Sequence, residues 1–290
     1  MGIGTGSEEE DEGYQTAEEN FGCEPEPGPQ PEPESVERRL AAPAEAQAMD
    51  ELLRRLEAEG WLDSRRERGR EAARMFEAFG GRDKCLIRFL RAYHFADLPR
   101  SFAQLTASVD FRLAHAVSNL SRDPQAYLDS DTEYTALWPG AFVGSTATKP
   151  IQLFQYRDVR PAELVKFEEP RVLRYCLAVM ERSSELQREL TERRRAEGDA
   201  DFICPGVLEI HDLSGLSLSQ LHIPWLRLTK RMLGVAAENY PEEAAAVVVC
   251  NAPAFAAAAW RMIRPALNVN TQKKVQITAD GCRSDLAGYG

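Results

Sequence analysis

"YPEEAAAVVVCNAP", residues 240–253, runs directly into "AFAAAAWRMIRPAL", residues 254–267. Val247, Val248 and Val249 stand in an unbroken apolar run, which suits a strand buried on both faces. Pro253 stands where a helix would open, since its fixed φ and missing N–H are tolerated in a first turn. Beyond it Phe255, Ala259, Met262 and Ala266 form one apolar stripe, and Trp260, Ile263 and Leu267 a second. Only Arg261 and Arg264 are charged, and being three apart they share a face. A helix that is apolar all round is ordinarily buried in a core. The same pattern fits a helix with one stripe on a cavity or a membrane surface. A lipid inside a protein needs an apolar wall that can move aside, and each methylene withdrawn from water contributes ~0.8 kcal/mol. Periodicity by itself leaves both readings open.

Outward from this stretch, apolar runs alternate with helical patterns. "GAFVG" (140–144), "PIQLFQY" (150–156), "GVLEIHDL" (206–213), "AAAVVVCN" (244–251) and "KVQIT" (274–278) read as five strands. Helices are expected at about 170–197, 218–238 and 253–267, which is the signature of a mainly parallel sheet covered by helices. The preceding block, residues 49–120, reads as helical throughout. Leu52, Leu53 and Leu56 share one face, and Leu86, Phe89, Leu90 and Tyr93 another. Asp50, Asp83, Asp97 and Asp123 are candidate N-caps, with Pro99 and Pro124 tolerated in first turns.

The chain of 290 residues has a formal charge of −11, but residues 1–37 contain twelve carboxylates and no Lys or Arg. That leaves +1 for residues 38–290. Nothing in it resembles the basic stripe of a nucleic-acid binder. Residues 1–48, with "CEPEPGPQPEPESVE", cannot bury enough apolar surface to offset ordering and read as a disordered acidic tail. The opening "MGIGTGS" carries Gly6 where a myristoylation site wants Ser or Thr. No run is long enough for a transmembrane helix. The widely spaced cysteines (Cys23, Cys85, Cys176, Cys204, Cys250, Cys282) read as reduced thiols of a cytoplasmic protein.

Catalytic signatures do not assemble. There is no G-x-S-x-G elbow, "GIGTG" follows no strand, and the four histidines lack metal spacing. His211 and Asp212 are strand neighbours pointing to opposite faces, a poor relay to Ser214. Asp212 reads as a cap for the following turn.

Five pieces occur in an order that resembles the CRAL-TRIO family of lipid-binding proteins, of the yeast-type phosphatidylinositol/phosphatidylcholine transfer kind. They are "LIRFLRAYHFADLPRSF", "KPIQLFQ", "HDLSGLS", "AENYPEEAAAVVVCNAP" and "WRMIRPALNVNTQKKVQI", spread over residues 83–280. The resemblance implies an N-terminal helical tripod (49–120) followed by an α/β lobe (121–290). In that lobe a mainly parallel five-stranded sheet floors an apolar pocket under a gate helix. It implies a non-enzymatic carrier with no cofactor other than a bound phospholipid or other hydrophobic ligand. Such a carrier docks transiently and peripherally on membranes and moves lipid as the gate opens. The same resemblance casts Glu242, Thr271 and Lys274 as head-group contacts, joined by Tyr93 and Glu209, which depart from the family pattern. Phe154, Tyr156, Val207, Phe255, Trp260, Met262, Ile263 and Leu267 are cast as pocket or gate, and Trp260, Arg261 and Arg264 as membrane contacts. Val207 and Glu209 replace hydroxyl residues, Tyr93 and His94 replace basic ones, and Glu243 replaces an arginine, a charge reversal beside the expected phosphate. The chain ends at "ADGCRSDLAGYG", where the family usually continues, so a shortened shell around the pocket is expected. The alternative reading is a lipid-sensing or ligand-free regulatory adaptor whose acidic tail recruits a protein partner.

Overall fold

A computed structural model of the protein describes residues 43–279 and 281. The acidic tail up to residue 42, Cys23, Cys282 and the closing segment from 282 lie outside the described residues.

The helical block opens with α1 (Pro43–Ala58), α2 (Glu67–Ala78), α3 (Arg82–Arg91), α4 (Leu98–Ala114) and a short α5 (Val117–Leu120). Asp97 caps α4, its carboxylate accepting from the Arg100 N–H at 3.0 Å, with Pro99 in the first turn. Two expected caps fail. Helix α1 begins at Pro43, so Asp50 is interior to it, and α3 is entered through Gly81 at φ 114°, with Asp83 already inside the helix. In both places the helix extends to a residue that tolerates a boundary better than the internal Asp does. Asp123 and Asp131 then cap α6 (Pro124–Ser130) and α7 (Thr132–Thr135).

The five expected strands form: β1 (Gly140–Ser145), β2 (Pro150–Gln155), β3 (Val207–Asp212), β4 (Ala244–Cys250) and β5 (Val275–Ile277). They lie in the order β1-β2-β3-β4-β5, with β1 antiparallel to β2 and the rest parallel. Short α8 (Pro161–Leu164) and long α9 (Glu169–Ala196) connect β2 to β3. Helix α10 (Ile223–Asn239) connects β3 to β4. Helices α11 (Ala256–Ile263) and α12 (Val269–Lys273), with a 3₁₀ turn between, connect β4 to β5.

A sheet that steps in one direction through right-handed crossovers carries all its connecting helices on one face. Trp138 identifies that face, meeting Phe154 of β2 edge-on at 6.1 Å and Tyr175 of α9 at 5.5 Å. Strand alternation and the register put Gln152, Phe154, Val207, Glu209, His211, Val247 and Val249 on it. The opposite face carries a smaller cluster of Leu208, Ala246, Val248 and Cys250. At the start of β3, Gly206 has φ 137°, and a Cβ there would lie 2.6 Å from the Glu243 carbonyl. Only glycine lets β3 begin this close to the turn before β4.

Two buried ion clusters join the helical block to the lobe. Arg112 of α4 donates to Glu181 of α9 at 2.7 and 3.2 Å and to Glu71 of α2 at 3.3 Å. Glu181 also accepts from the Tyr240 hydroxyl at 2.6 Å and from Ser121. Arg88 of α3 pairs with Glu243 and donates to the Pro241 carbonyl at 2.8 Å. Glu243 accepts further from Gln187 at 2.6 Å and from Ser183. Phe79 lies between the clusters, its ring 4.4 Å from the Arg88 guanidinium and 5.8 Å from that of Arg112. Glu243 is thus an interface anchor, and the charge reversal expected beside a phosphate is not there. Among the cysteines, Cys85, Cys176 and Cys204 are free thiols, and burial pushes Cys85 up to about 12. Cys250 is disulfide-bonded, against the expectation of reduced thiols throughout.

Removing one partner of a buried ion pair strands the other charge and typically costs ~3–5 kcal/mol, so Glu181→Ala is expected to lower urea stability by about that amount. Burial pushes the Glu181 carboxyl up, but Arg112 and the Ser121 and Tyr240 hydroxyls together hold it below its ordinary 4.5. A depressed carboxylate contributes stability that is complete above the unfolded value and lost as pH falls through the folded one. Denaturation followed from pH 7 downward should therefore weaken below about 4.5, and Glu181→Gln should flatten that slope.

Candidate functional site

Helix α11 is the most apolar of the helices among the described residues, yet none of its residues is buried. Phe255, Trp260, Met262, Ile263 and Leu267 are all half-buried, and Ala257, Ala258, Arg261 and Arg264 exposed. None of them belongs to or packs on either buried cluster. The apolar pattern that ordinarily marks a core helix here belongs to a helix resting on α10 and on the turn after it. Helix α10 is half-buried from Met232 to Ala237, and its end is tied to α4 by Gln104, which donates to the Ala237 and Glu238 carbonyls at 3.1 and 2.8 Å.

The far end of this cover is tied down by polar bonds. Asn268 caps α12, accepting from the Thr271 N–H at 2.7 Å. Gln272 donates to the carbonyls of Arg264 (3.2 Å) and Leu267 (2.9 Å) and accepts from Arg264 Nε at 2.8 Å. Arg264, expected to meet membrane phosphates, therefore spends a donor on Gln272. Arg261 is exposed, and no partner is seen for it among the described residues. Asn270 reaches the Arg91 carbonyl of α3 at 3.2 Å and Glu242 at 3.4 Å.

The expected head-group residues fall into three separate places. Lys274 pairs with Glu242 at 2.7 Å and donates to the Ala244 carbonyl at 2.8 Å, with Thr271 one turn away on α12. Glu242 holds a left-handed φ of 57°, a conformation costly for a non-glycine residue. Its neighbours explain how it persists: Tyr240, Pro241 and Glu243 are each bonded to a buried cluster. Tyr93 lies in the turn after α3, its ring 5.7 Å from the Arg100 guanidinium. Glu209 is on the sheet.

On the sheet face, Val207 is fully packed. Phe154 stacks on His211 with ring centres 4.4 Å apart and nearly parallel. The Tyr156 hydroxyl meets His211 Nδ1 at 2.9 Å, and His211 Nε2 meets Glu209 Oε2 at 3.3 Å. Burial raises the Tyr156 hydroxyl above its ordinary value, with the Glu209 charge adding to it. Sequence reasoning weighed His211 only against Asp212 and did not single out Gln152; the available signal was the i, i+2 spacing that puts His211 with Glu209 on one face. Asp212, on the opposite face, caps the turn as expected: it accepts from Ser214 N–H at 2.9 Å and from Asn251 at 2.8 Å.

Among the described residues no helix is long and apolar enough to cross a membrane, and no group of three His, Cys, Asp or Glu could hold a metal ion. Residues 146–289 match the CRAL/TRIO domain family. The crystal structure of Sfh5 matches with a TM-score of 0.58 and 18% identity, over 87% of this chain and 88% of that one. At that identity the likeness is one of fold.

Lys274 is 24% exposed but already paired with Glu242. Glu242→Gln is expected to raise capture of phosphatidylinositol-containing vesicles several-fold in flotation assays, and Lys274→Ala to abolish the gain.

Proposed function

We propose, from the premise that the chain belongs to the CRAL/TRIO family, that it carries a single hydrophobic ligand between membranes beneath a movable α11. Members of the family are non-catalytic lipid carriers, and the reading for this chain is likewise physical. The protein docks peripherally from the cytoplasm, α11 swings outward, a lipid enters, and the helix returns.

One observation carries this reading: an apolar helix whose large side chains are half-buried and none buried. A core helix of this composition would lose several kcal/mol if uncovered, at ~1.5–3 kcal/mol per large side chain. Half-buried side chains off both core clusters make displacement far cheaper, and a bilayer offers the same apolar surroundings. Trp260 has the large ring and single N–H that suit a membrane interface, and Arg261 can meet lipid phosphates. The bonds of Gln272, Asn268 and Asn270 anchor the end about which the helix would turn. Phosphatidylinositol is one ligand consistent with Lys274 and Thr271, provided the phosphate displaces Glu242.

Protein exposed to radiolabelled phosphatidylcholine vesicles, reisolated and solvent-extracted should hold stoichiometric lipid and pass it to acceptor vesicles. Ile263→Asp should cut transfer at least about tenfold yet shift unfolding free energy by no more than about 1 kcal/mol, the usual range for sites outside a core. A loss of several kcal/mol would mark α11 as a fixed core element, and lipid-free protein would end the carrier reading.

A further inference from the structure

Three polar side chains interrupt the sheet face on which the connecting helices lie. Gln152 of β2 and Glu209 of β3 are register partners, and His211 follows Glu209 on the same face. They sit in the middle of a five-stranded sheet, where apolar residues are the rule. Gln152 is only 3% exposed, and its amide has no hydrogen-bond partner among the described residues. Its amide atoms are not among the buried groups left without solvent or partner, so they are open to a ligand and not stranded. The Glu209 and His211 side chains keep 22% and 20% of their exposure under a helical layer, so the floor here is not sealed.

The bonds fix which atoms remain free. A carboxylate only accepts, so His211 Nε2 carries the hydrogen given to Glu209 Oε2. In the tautomer with its hydrogen on Nε2 the ring accepts at Nδ1, where the Tyr156 hydroxyl can donate. Glu209 Oε1 has no bond among the described residues, and Gln152 is the register partner of Glu209 on the neighbouring strand.

We propose that Gln152 and Glu209 form a subsite for the hydroxyl group of an uncharged lipid, oriented by the His211–Tyr156 chain. An alcohol matches both free groups at once: its O–H donates to Glu209 Oε1, and its oxygen accepts from Gln152 Nε2. A carboxylate or phosphate at this point would set like charge against Glu209, which disfavours its charged form. An ammonium can donate to Glu209 and to the Gln152 carbonyl oxygen but uses neither Gln152 donor, whereas an alcohol uses a donor and an acceptor together. The assignment rests on the carrier reading above and names the ligand class for it.

The test uses the full chain and a tail-matched series, oleyl alcohol, oleic acid, oleylamine and 1-octadecene, each supplied in phosphatidylcholine vesicles. Retained probe is measured by extraction and mass spectrometry. The wild type is expected to hold oleyl alcohol at least about tenfold over oleic acid and over oleylamine, the scale of discrimination a dedicated hydrogen-bonding site gives. Glu209→Leu, which suits a strand, should erase the alcohol's advantage over 1-octadecene. Glu209→Gln keeps shape and an acceptor but not the charge, and should keep oleyl alcohol while admitting oleic acid; it covers the case in which the leucine variant does not fold. Equal retention of alcohol and acid by the wild type, preference for the amine, or a Glu209→Gln variant that still excludes oleic acid would overturn the subsite while leaving the carrier reading intact. No uptake of any probe, 1-octadecene included, would remove both.

Discussion

Two buried arginine–carboxylate pairs hold this molecule in register. Arg112 with Glu181 and Arg88 with Glu243 each join the N-terminal helices to the lobe through hydrogen bonds on several sides. Such pairs contribute less to net stability than their Coulomb attraction suggests, because four charges leave water. Their effect is geometric. Each arginine has one place where its donors are satisfied, and an apolar contact of equal area would tolerate sliding. The rigid part of the protein is therefore where helices α2, α3, α4 and α9 meet, with Phe79 between the two guanidinium groups.

That rigidity reaches the candidate site through four consecutive residues. Tyr240 bonds to one cluster, Pro241 and Glu243 to the other, and Glu242 is left between them in a left-handed conformation. The backbone cost at Glu242 is borne by its neighbours, and its carboxylate is delivered to Lys274. A third tie, Asn270 to the Arg91 carbonyl, brings the end of the α11–α12 connection to the same frame. Against this fixed edge, α11 stands apart from both buried clusters. One end of the cover is anchored by polar bonds while its apolar body avoids the core, a division of labour suited to a segment that must open without unfolding the rest.

Strand positions were legible because five short apolar runs were separated by helical periodicity, and β1 to β5 formed where those runs stand. Asp97 and Asp123 were legible as caps because each is followed by a first-turn proline. Asp50 and Asp83 misled, since an Asp within a helix looks the same as one at its start until the backbone is seen. The role of Glu243 was not readable at all. Its partners are 56, 60 and 155 residues away, and no local pattern encodes them. His211 was weighed against its neighbour Asp212, whereas its partners are Glu209 two residues back and Tyr156 across the sheet.

The sequence by itself determined the order of elements, the mainly parallel character of the sheet and the apolar nature of α11, because periodicity and proline placement are local properties. Tertiary structure alone decided whether that apolar helix is core or cover, which carboxylate anchors an interface and which lies beside Lys274, and which polar groups on the sheet remain unpaired. Those outcomes depend on what each side chain meets across distances that the chain order does not record.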